Sequence, residues 1–348
     1  MARIALDAMG GDYAPKAPVA GALHAIRELG SEHSIQLVGQ TAAVSAALEE
    51  MLAGEFSDVA DRARESFEIV EAPDVVAMSD KPAAALRGKP GSSMMVGLRR
   101  HVEGEADAFV SAGNTGAQMA ASTVLLRLHE GLTRPAIATV LPTALQPVVL
   151  LDAGANVDCS PQELVQFARL GAVYAEDILG RSNPSIGLLS IGEEAEKGNA
   201  AVKVANSLLA ATSGLNFQGN IEGRDIPAGA SDRGQLDVVV CDGFVGNVLL
   251  KFYEAVAPLI VGLVGRHAGL TREQLEQAFG HLDYSEYGGA PLLGVKGVSI
   301  ISHGKSSPRA LKNAIRVAVR AVESDMSDHI GRRLAPPVPA EATLEESA

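Results

Sequence analysis

Short apolar runs alternate along the chain with longer stretches in which apolar residues recur at helical spacing. Such alternation predicts βα repetition around a buried, mostly parallel sheet, with helices on both faces in a three-layer α/β/α arrangement. The expected strands are residues 3–6, 35–38, 67–70, 108–111, 136–141, 147–151, 185–190, 236–240 and 298–301. The expected helices are residues 18–29, 42–52, 92–101, 118–128, 161–179, 195–211 and 310–326.

One segment departs from this alternation. From Phe244 to about His281 the pattern is helical with no strand between its halves, and residues 255–265 are apolar on every side. A helix that is apolar all round must be covered by something, which leaves core, dimer interface or membrane surface as interpretations. We therefore expect one catalytic domain over residues 1–333, with a helical protrusion at about 250–282, and a disordered Pro- and Glu-rich tail at 334–348.

Composition limits the functional classes. Aromatic residues make up 4% of the 348 residues and the net charge is −13, so a nucleic-acid partner is disfavoured. Two cysteines form no disulfide framework, which favours a reducing cytoplasm. The N-terminus enters a strand pattern directly, without a signal-peptide pattern, and no uninterrupted apolar run reaches the ~20 residues of a membrane span. A cytoplasmic protein, at most peripherally bound to a membrane, is expected.

Six expected strands are each followed at once by a loop of small or polar residues. In an open parallel sheet such loops share the carboxyl edge, where ligands bind, and glycine lets the backbone approach an anion. The loops are residues 7–12, 111–116, 152–156, 191–194, 242–247 and 302–307.

No familiar nucleotide or metal motif occupies these loops. Gly-x-Gly-x-x-Gly is absent, and Gly304-Lys305-Ser306 lacks the first glycine of a P-loop, because Ser299 stands in its place. Histidine and cysteine spacings give no transition-metal site, and no Gly-x-Ser-x-Gly elbow is present. We expect neither a cofactor nor a metal ion.

Five ordered segments carry a resemblance that spans about residues 1–328. They are Asp-Ala-Met-Gly-Gly-Asp at 7–12, Ser-Ala-Gly-Asn-Thr-Gly-Ala at 111–117, Leu-Asp-Ala-Gly-Ala-Asn at 151–156, Cys-Asp-Gly-Phe-Val-Gly-Asn at 241–247 and Asp-Tyr-Ser-Glu-Tyr-Gly-Gly-Ala-Pro-Leu-Leu-Gly at 283–294. This set resembles the phosphate acyltransferase family of bacterial phospholipid synthesis. The segment before Asp283 is less basic than the family pattern, and the Pro-rich tail departs from it.

The resemblance implies both a fold and an activity. The fold would be related to phosphotransacetylases and isocitrate-dehydrogenase-like enzymes, and the protein would be a homodimer whose protruding helices touch lipid. The activity would be transfer of a fatty acyl group from acyl carrier protein to inorganic phosphate. The acyl phosphate would then pass to a membrane glycerol-phosphate acyltransferase.

That chemistry needs no covalent nucleophile, because phosphate attacks the thioester itself and a thiolate departs readily. The enzyme must hold an anion and stabilise an oxyanion. We expect Lys197, His303 and Asn114 to be catalytic, so that replacing Asn114 or Lys197 with alanine should lower turnover more than stability. The expected phosphate or oxyanion contacts are Gly10, Gly11, Gly113, Thr115, Gly116, Gly154, Asn156, Gly243 and Asn247.

Each of these assignments has a plainer alternative. Lys197 is equally explained as a solvated surface charge and His303 as a loop histidine with a local partner. Asp7, Asp152 and Asp242 end strands, where they cap the next helix or orient a base. Cys241 is expected to be a small packing residue and not a nucleophile.

An acidic enzyme that binds an acidic carrier protein needs a local positive surface. The expected docking residues are Lys89, Arg309, Lys312, Arg316 and Arg320, the last four forming one stripe of a helix. A second possible cluster is Arg87, Lys89, Arg99 and Arg100, and a plain solvated helix face explains the stripe equally well. Three other functions stay open: a coenzyme A-dependent phosphotransacetylase, a metal- and NAD-dependent dehydrogenase, and a non-catalytic carrier-binding scaffold.

Overall fold

The computed structural model describes residues 1–30, 32–268, 271, 273–275 and 287–334. Within them the chain is an α/β protein. The strands are β1 (Arg3–Asp7), β2 (Ser34–Gly39), β3 (Phe67–Glu71), β4 (Ala108–Ser111), β5 (Ala136–Ile137), β6 (Thr139–Leu141), β7 (Val148–Leu151), β8 (Ser185–Leu189), β9 (Asn216–Ile221), β10 (Ala230–Ser231), β11 (Gly234–Gln235), β12 (Val238–Val240), β13 (Ala290–Leu293) and β14 (Ser299–Ile301). The helices are α1 (Lys16–Leu29), α2 (Thr41–Leu52), α3 (Ala60–Ser66), α4 (Pro82–Gly88), α5 (Ser93–Val102), α6 (Thr115–Leu125), α7 (Pro161–Asp177), α8 (Ala200–Ala211), α9 (Asp225–Ala228), α10 (Gly243–Ala268), α11 (Pro308–Glu323) and α12 (Met326–Leu334).

Two mostly parallel sheets form the centre of the molecule. The first has the order β3-β2-β1-β4-β14-β13-β5, in which β13 runs antiparallel to both of its neighbours. The second has the order β6-β7-β12-β8-β9, in which β6 is antiparallel to β7. Only Ala138 separates β5 from β6, so this short stretch links the two sheets. The β4 and β7 strands are buried along their whole length, as continuous apolar runs in parallel sheets require.

The predicted α/β/α class with its mostly parallel sheet is confirmed, and every expected strand is present. The strands nevertheless divide between two sheets, because β14 returns from late in the chain to lie beside β4. Two strands of these sheets were not predicted. The sequence of β9, Asn-Phe-Gln-Gly-Asn-Ile, is too polar to be recognised as a buried strand, and the antiparallel β13 was also missed. The expected helix at 195–211 begins only at Ala200, where Asn199 caps it by accepting a hydrogen bond from the Val202 amide.

The last expected helix, at residues 310–326, is present as α11, and a further helix that was not expected, α12, follows it. Asp325 adopts a left-handed backbone conformation (φ 51°), which ends α11 and allows α12 to begin in a new direction. The α12 helix runs to the buried Leu334, so the expected tail begins at least one residue later than residue 334. The rest of that tail lies outside the described residues.

The long helix α10 corresponds to the first half of the expected helical segment, and most of the second half lies outside the described residues. Its first turns pack on the second sheet through Val245, Leu249 and Tyr253. Farther along, Leu259, Ile260 and Leu263 are exposed. By length and composition Gly243–Arg266 is apolar enough to cross a membrane, although Lys251 and Glu254 interrupt its apolar sequence.

Candidate active site

The six expected ligand loops fall into two groups, one at the carboxyl edge of each sheet. Those after β1, β4 and β14 are neighbours because these three strands are adjacent and parallel. Those after β7, β12 and β8 are neighbours in the second sheet for the same reason. The prediction of one shared edge was therefore wrong in detail. Four of the loops nevertheless reach one cavity, whereas the loops after β1 and β8 contribute none of its lining residues.

The cavity has a volume of about 570 Å³ and lies between the two groups of loops. The loops after β4, β7, β12 and β14 contribute Thr115, Ala153, Gly154, Asn247 and residues 302–307 except Gly304. Its other lining residues come from β5, β6, α10, β14, α11 and the turn before β13: Ile137, Thr139, Leu250, Lys251, Glu254, Gly288, Gly289, Ala290, Ile301 and Ala310. Of the residues expected at the site, Thr115, Gly154, Asn247 and His303 line this cavity.

One end of the cavity is suited to an anion. Ser306 and Ser307 lie at the N-terminal end of α11, where Ser307 caps the helix by accepting from the Ala310 amide. A helix N-terminus carries a partial positive charge, and Lys305 adds a full one. Within the described part of the chain Lys305 has no carboxylate partner. His303 Nδ1 accepts a hydrogen bond from the Lys305 amide at 3.2 Å, which fixes the imidazole beside this lysine.

Ser302 is the least expected member of the site. Its side chain is only 5% exposed, and its Oγ has no hydrogen-bond partner although the residue lines the cavity. A buried hydroxyl without a partner costs about 1–3 kcal/mol. Gly289 makes room for it, because a β-carbon there would lie 3.0 Å from Ser302 Oγ. Ser302 thus brings a buried hydroxyl without a partner to the residues that line this end of the cavity.

The opposite wall comes from α10 and is of mixed character. Asn247, Leu250, Lys251 and Glu254 recur at helical spacing and face the cavity. Lys251 Nζ donates to Glu254 Oε2 at 2.7 Å, so this lysine is neutralised locally. Apolar side chains of Ile137, Leu250 and Ile301 line the space beside these polar groups, as an acyl chain or thioester would require.

Several expected site residues instead hold the loops in place. Asn114 is buried: its Oδ1 accepts from the Ala117 amide as the cap of α6, and its Nδ2 donates to the carbonyls of Met78 and Asp80. Asn156 Nδ2 donates to Asp152 and to the Pro135 carbonyl. Asn114 and Asn156 are thus fully engaged within the protein, and neither lines the cavity.

The remaining expected glycines are sites of close backbone packing. A β-carbon at Gly10 would lie 2.8 Å from the Gly113 amide, one at Gly116 would lie 2.8 Å from Pro82 Cγ, and one at Gly243 would lie 2.6 Å from the Asn156 carbonyl. Gly11 has φ +99° and lies against the Gly304 carbonyl, which also accepts from the Asp12 amide at 2.7 Å. These glycines support the cavity loops without lining the cavity.

Lys197 does not belong to the cavity. It is exposed on the loop after β8 and packs against Gly192. The plainer interpretation, a solvated surface charge, fits this position. Lys305, on the loop after β14, is instead a lysine that lines the cavity. The sequence signal for it was the Gly-Lys-Ser triplet directly before a helix, which the incomplete P-loop pattern had set aside.

Two aspartates at strand ends accept hydrogen bonds from the loops. Asp7 accepts from Ser111 Oγ at 2.7 Å and from the Met9 amide, and Asp152 accepts from the amides of Gly154, Ala155 and Asn156. Burial raises the pKa of both carboxyls above the ordinary value. Asp242 caps α10 by accepting from the Val245 amide. The capping alternative therefore holds for Asp242. Asp7 and Asp152 instead bond to the loops that directly follow their strands and cap no helix, because α1 begins only at residue 16 and α7 only at residue 161.

Neither cysteine is suited to act as a nucleophile. Burial raises the pKa of the Cys241 thiol well above its ordinary value, and it raises the pKa of Cys159 to about 12. Among the described residues, no group of three or more His, Cys, Asp or Glu side chains is placed to hold a metal ion.

The expected docking cations are largely paired. Lys89 Nζ lies 2.6 Å from Asp80 Oδ2, and Lys312 and Arg316 both contact Glu28 of α1. Arg320 is exposed at the far end of α11, whereas Arg309 lies at the end nearer the cavity. The helical stripe is real, but Glu28 offsets much of its charge.

The chain is similar to known proteins over nearly its whole length. Residues 2–329 match the family described as fatty acid synthesis protein. A phosphate acyltransferase of Desulforamulus reducens is 48% identical over 335 residues, covering 94% of this chain and 95% of that one. Another, from Desulfitobacterium hafniense strain Y51, is 47% identical over 344 residues, covering 96% and 98%.

Solved structures support the fold. A phosphotransacetylase from Streptococcus pyogenes aligns with a TM-score of 0.62 at 17% identity, covering 92% of this chain and 94% of that one. A branched-chain phosphotransacylase from Enterococcus faecalis aligns with a TM-score of 0.55 at 16% identity, covering 92% and 100%. The predicted family and fold relationship are thereby confirmed: the chain belongs to the phosphate acyltransferase members of the fatty acid synthesis protein family and is an acyltransferase.

Proposed function

We propose that this enzyme transfers a fatty acyl group from acyl carrier protein to inorganic phosphate, giving an acyl phosphate for phospholipid synthesis. The observation that carries the proposal is the anion-suited end of the cavity, where Lys305 and the α11 N-terminus adjoin the unpartnered hydroxyl of Ser302. The names of the full-length relatives point to the same acceptor.

In this mechanism phosphate occupies the end of the cavity near Ser302, Lys305 and Ser306. The thioester lies across the cavity, beside Leu250, with its carbonyl carbon facing a phosphate oxygen. That oxygen attacks the carbonyl carbon, the C–S bond breaks, and the sulfur leaves as a thiolate that takes up the proton of hydrogen phosphate. Because a thiolate is a good leaving group and phosphate is already a nucleophile, the protein supplies position and charge stabilisation.

His303 and Lys305 have distinct parts in this proposal. Lys305 supplies a permanent positive charge for the phosphate, and the His303 ring lies where it can donate a hydrogen bond to the developing oxyanion. Asn247 and Thr115 are the polar groups of the facing walls. No cofactor or metal ion takes part in the proposed reaction.

We also propose that the enzyme is a cytoplasmic homodimer that touches the membrane weakly. The support is the apolar side of α10, on which Phe244, Val248, Phe252, Leu259 and Leu263 are exposed. A homodimer contact over this helix, with lipid at its end, would bring the product close to a membrane glycerol-phosphate acyltransferase.

The direct test is mass detection of acyl phosphate from purified enzyme, acylated carrier protein and phosphate. We expect product that depends on both substrates, with acyl-coenzyme A a poorer donor. Reactions without phosphate, and with heat-treated enzyme, serve as controls. Equal or better use of acetyl-coenzyme A would favour the coenzyme A-dependent alternative, and absence of acyl phosphate with every donor would overturn the proposal.

A further inference from the structure

A short segment that the mechanism does not use lies against two of the loops that line the cavity, those after β4 and β14. Residues 77–82 run beside the first turn of α6, where Asn114 Nδ2 donates to the carbonyls of Met78 and Asp80 at 3.0 Å. Pro82, the first residue of α4, packs on Gly116. Thr115, between these two contacts, lines the cavity. This segment is therefore held firmly beside a residue that lines the cavity.

The same segment reaches the anion-suited loop on the other side. Met78 Cε lies against Gly304, the residue between His303 and Lys305. Met78 is nevertheless 47% exposed, so an apolar side chain faces solvent beside a loop that lines the cavity. Lys81, directly before α4, and Arg87, in the last turn of that helix, are both exposed. We call Met78, Lys81 and Arg87 the α4 rim.

The charge of this rim is not offset by neighbouring carboxylates. Within the described part of the chain, neither Lys81 nor Arg87 forms an ion pair or a side-chain hydrogen bond. The carboxylate on the segment itself, Asp80, is already bonded to Lys89 and to the Ala77 amide. Asp12, whose amide donates to the Gly304 carbonyl, is an exposed carboxylate near that loop. The rim therefore keeps a positive charge on a protein whose net charge is −13.

We infer that the α4 rim is the docking surface for the acidic carrier domain that presents the acyl thioester; this rests on the proposed function. An acidic domain is repelled by most of a strongly acidic enzyme, so a local cationic surface decides where it binds. The α4 rim adjoins the cavity and has an exposed apolar residue among its cations, the usual composition of a protein interface. The α11 stripe has less net positive charge to offer, because Glu28 pairs with Lys312 and Arg316.

The test measures affinity for the carrier protein directly. The variant Lys81→Glu/Arg87→Glu is compared with Arg320→Glu, which reverses one exposed cation of the α11 stripe. Binding of fluorescently labelled holo-carrier protein is followed by anisotropy at low salt. We expect the Kd of the α4 variant to rise by about tenfold or more, with a weaker salt dependence, and that of Arg320→Glu to stay near the wild-type value.

An acyl donor without a carrier domain distinguishes a loss of carrier binding from damage to the active site. Acyl-pantetheine presents the same thioester without the acidic protein, so the α4 variant should use it as well as wild type does. An unchanged Kd in the α4 variant, or a larger loss in Arg320→Glu, would overturn the inference. Loss of acyl-pantetheine activity together with a lowered melting temperature would also overturn it, because the rim would then be structural. Failure of wild type to form acyl phosphate would instead refute the proposed function.

Discussion

Ser302 gives the sharpest test at the scale of single residues. Its buried hydroxyl lacks a partner in the protein, so replacing it with alanine removes an unsatisfied group from the folded state. We expect Ser302→Ala to lower kcat/KM for phosphate by about tenfold while leaving the melting temperature equal or higher. Steady-state kinetics with varied phosphate and a thermal melt measure both.

Ser190 is a matched control for that variant. Its Oγ also lacks a partner, but the residue lies outside the cavity. Ser190→Ala should therefore leave phosphate kinetics unchanged. If Ser302→Ala has normal kinetics, or if Ser190→Ala loses activity equally, Ser302 does not contact the acceptor.

Lys305 and Lys197 form a second pair. Lys305→Ala removes the unpaired cation of the cavity and should lower kcat/KM by about 100-fold, the usual cost of one charge-stabilising donor. Lys197→Ala removes an exposed lysine outside the cavity and should have nearly normal kinetics. The opposite result would restore the original assignment of Lys197 as catalytic.

Asn114 is predicted to act on stability. Replacement with alanine removes the α6 cap and leaves the carbonyls of Met78 and Asp80 without their donor. The cap alone is worth about 1 kcal/mol, so the free energy of unfolding should fall by at least that amount in urea titrations. Turnover measured well below the transition should fall less steeply than in Lys305→Ala, and a variant as stable as wild type would contradict this role.

The sequence predicted only some of the residues that line the cavity. Thr115, Gly154, Asn247 and His303 were found because polar residues that follow parallel strands meet at the sheet edge. Asn114 also follows a parallel strand, but its side chain caps α6 and does not line the cavity. Which loop side chains turn inward depends on contacts with residues far away in sequence, and a local pattern does not contain them.

At the scale of elements, the placement of α10 depends on one glycine. A β-carbon at Gly246 would collide with the Asp152 carbonyl and would also approach Cys241 Sγ. Gly246→Ala should therefore push α10 away from the loop after β7, at a cost of about 2–3 kcal/mol of unfolding free energy, and should disturb Asn247 at the cavity. Chemical denaturation and kcat measure the two effects.

Gly262, in the exposed part of the same helix, is the control. A β-carbon there would have no heavy atom within 4 Å. Gly262→Ala should thus stabilise the helix by about 0.5–1 kcal/mol, because alanine loses less backbone entropy than glycine. If both variants lose stability equally, the close approach at Gly246 is not what positions α10.

Elements were easier to predict than their pairing. Apolar runs such as Val148–Leu151 identify buried strands locally, whereas β9 is polar enough to resemble a loop. At the scale of the whole molecule the division into two sheets depends on β14 pairing with β4, about 190 residues earlier in the chain. No local periodicity specifies such a pairing. The sequence therefore did not predict the cavity between the two sheets, although it did identify the loops that line it.

The exposed face of α10 gives the prediction for the whole molecule. Phe252, Leu259 and Leu263 recur on one side of the helix at spacings of seven and four residues, and an apolar stripe of this kind is usually covered by a partner. We expect the wild-type enzyme to be a dimer in sedimentation equilibrium and Leu259→Gln/Leu263→Gln to be largely monomeric. Val204→Gln, which replaces another exposed apolar residue on α8, should remain dimeric.

Vesicle binding then tests whether the same helix contacts lipid as well as a second subunit. Neutral glutamine introduces no repulsion from anionic lipid, so any loss of co-sedimentation in the α10 variant reports the loss of apolar contact. We expect weak co-sedimentation of wild type with phosphatidylglycerol vesicles and none of the variant. If the variant stays dimeric yet no longer binds vesicles, α10 faces lipid alone and the dimer interface lies elsewhere; if neither property changes, the stripe has neither function. Because α10 carries both Asn247, which lines the cavity, and this apolar stripe, enzyme kinetics of the same variant would also show how far the site depends on what covers the helix.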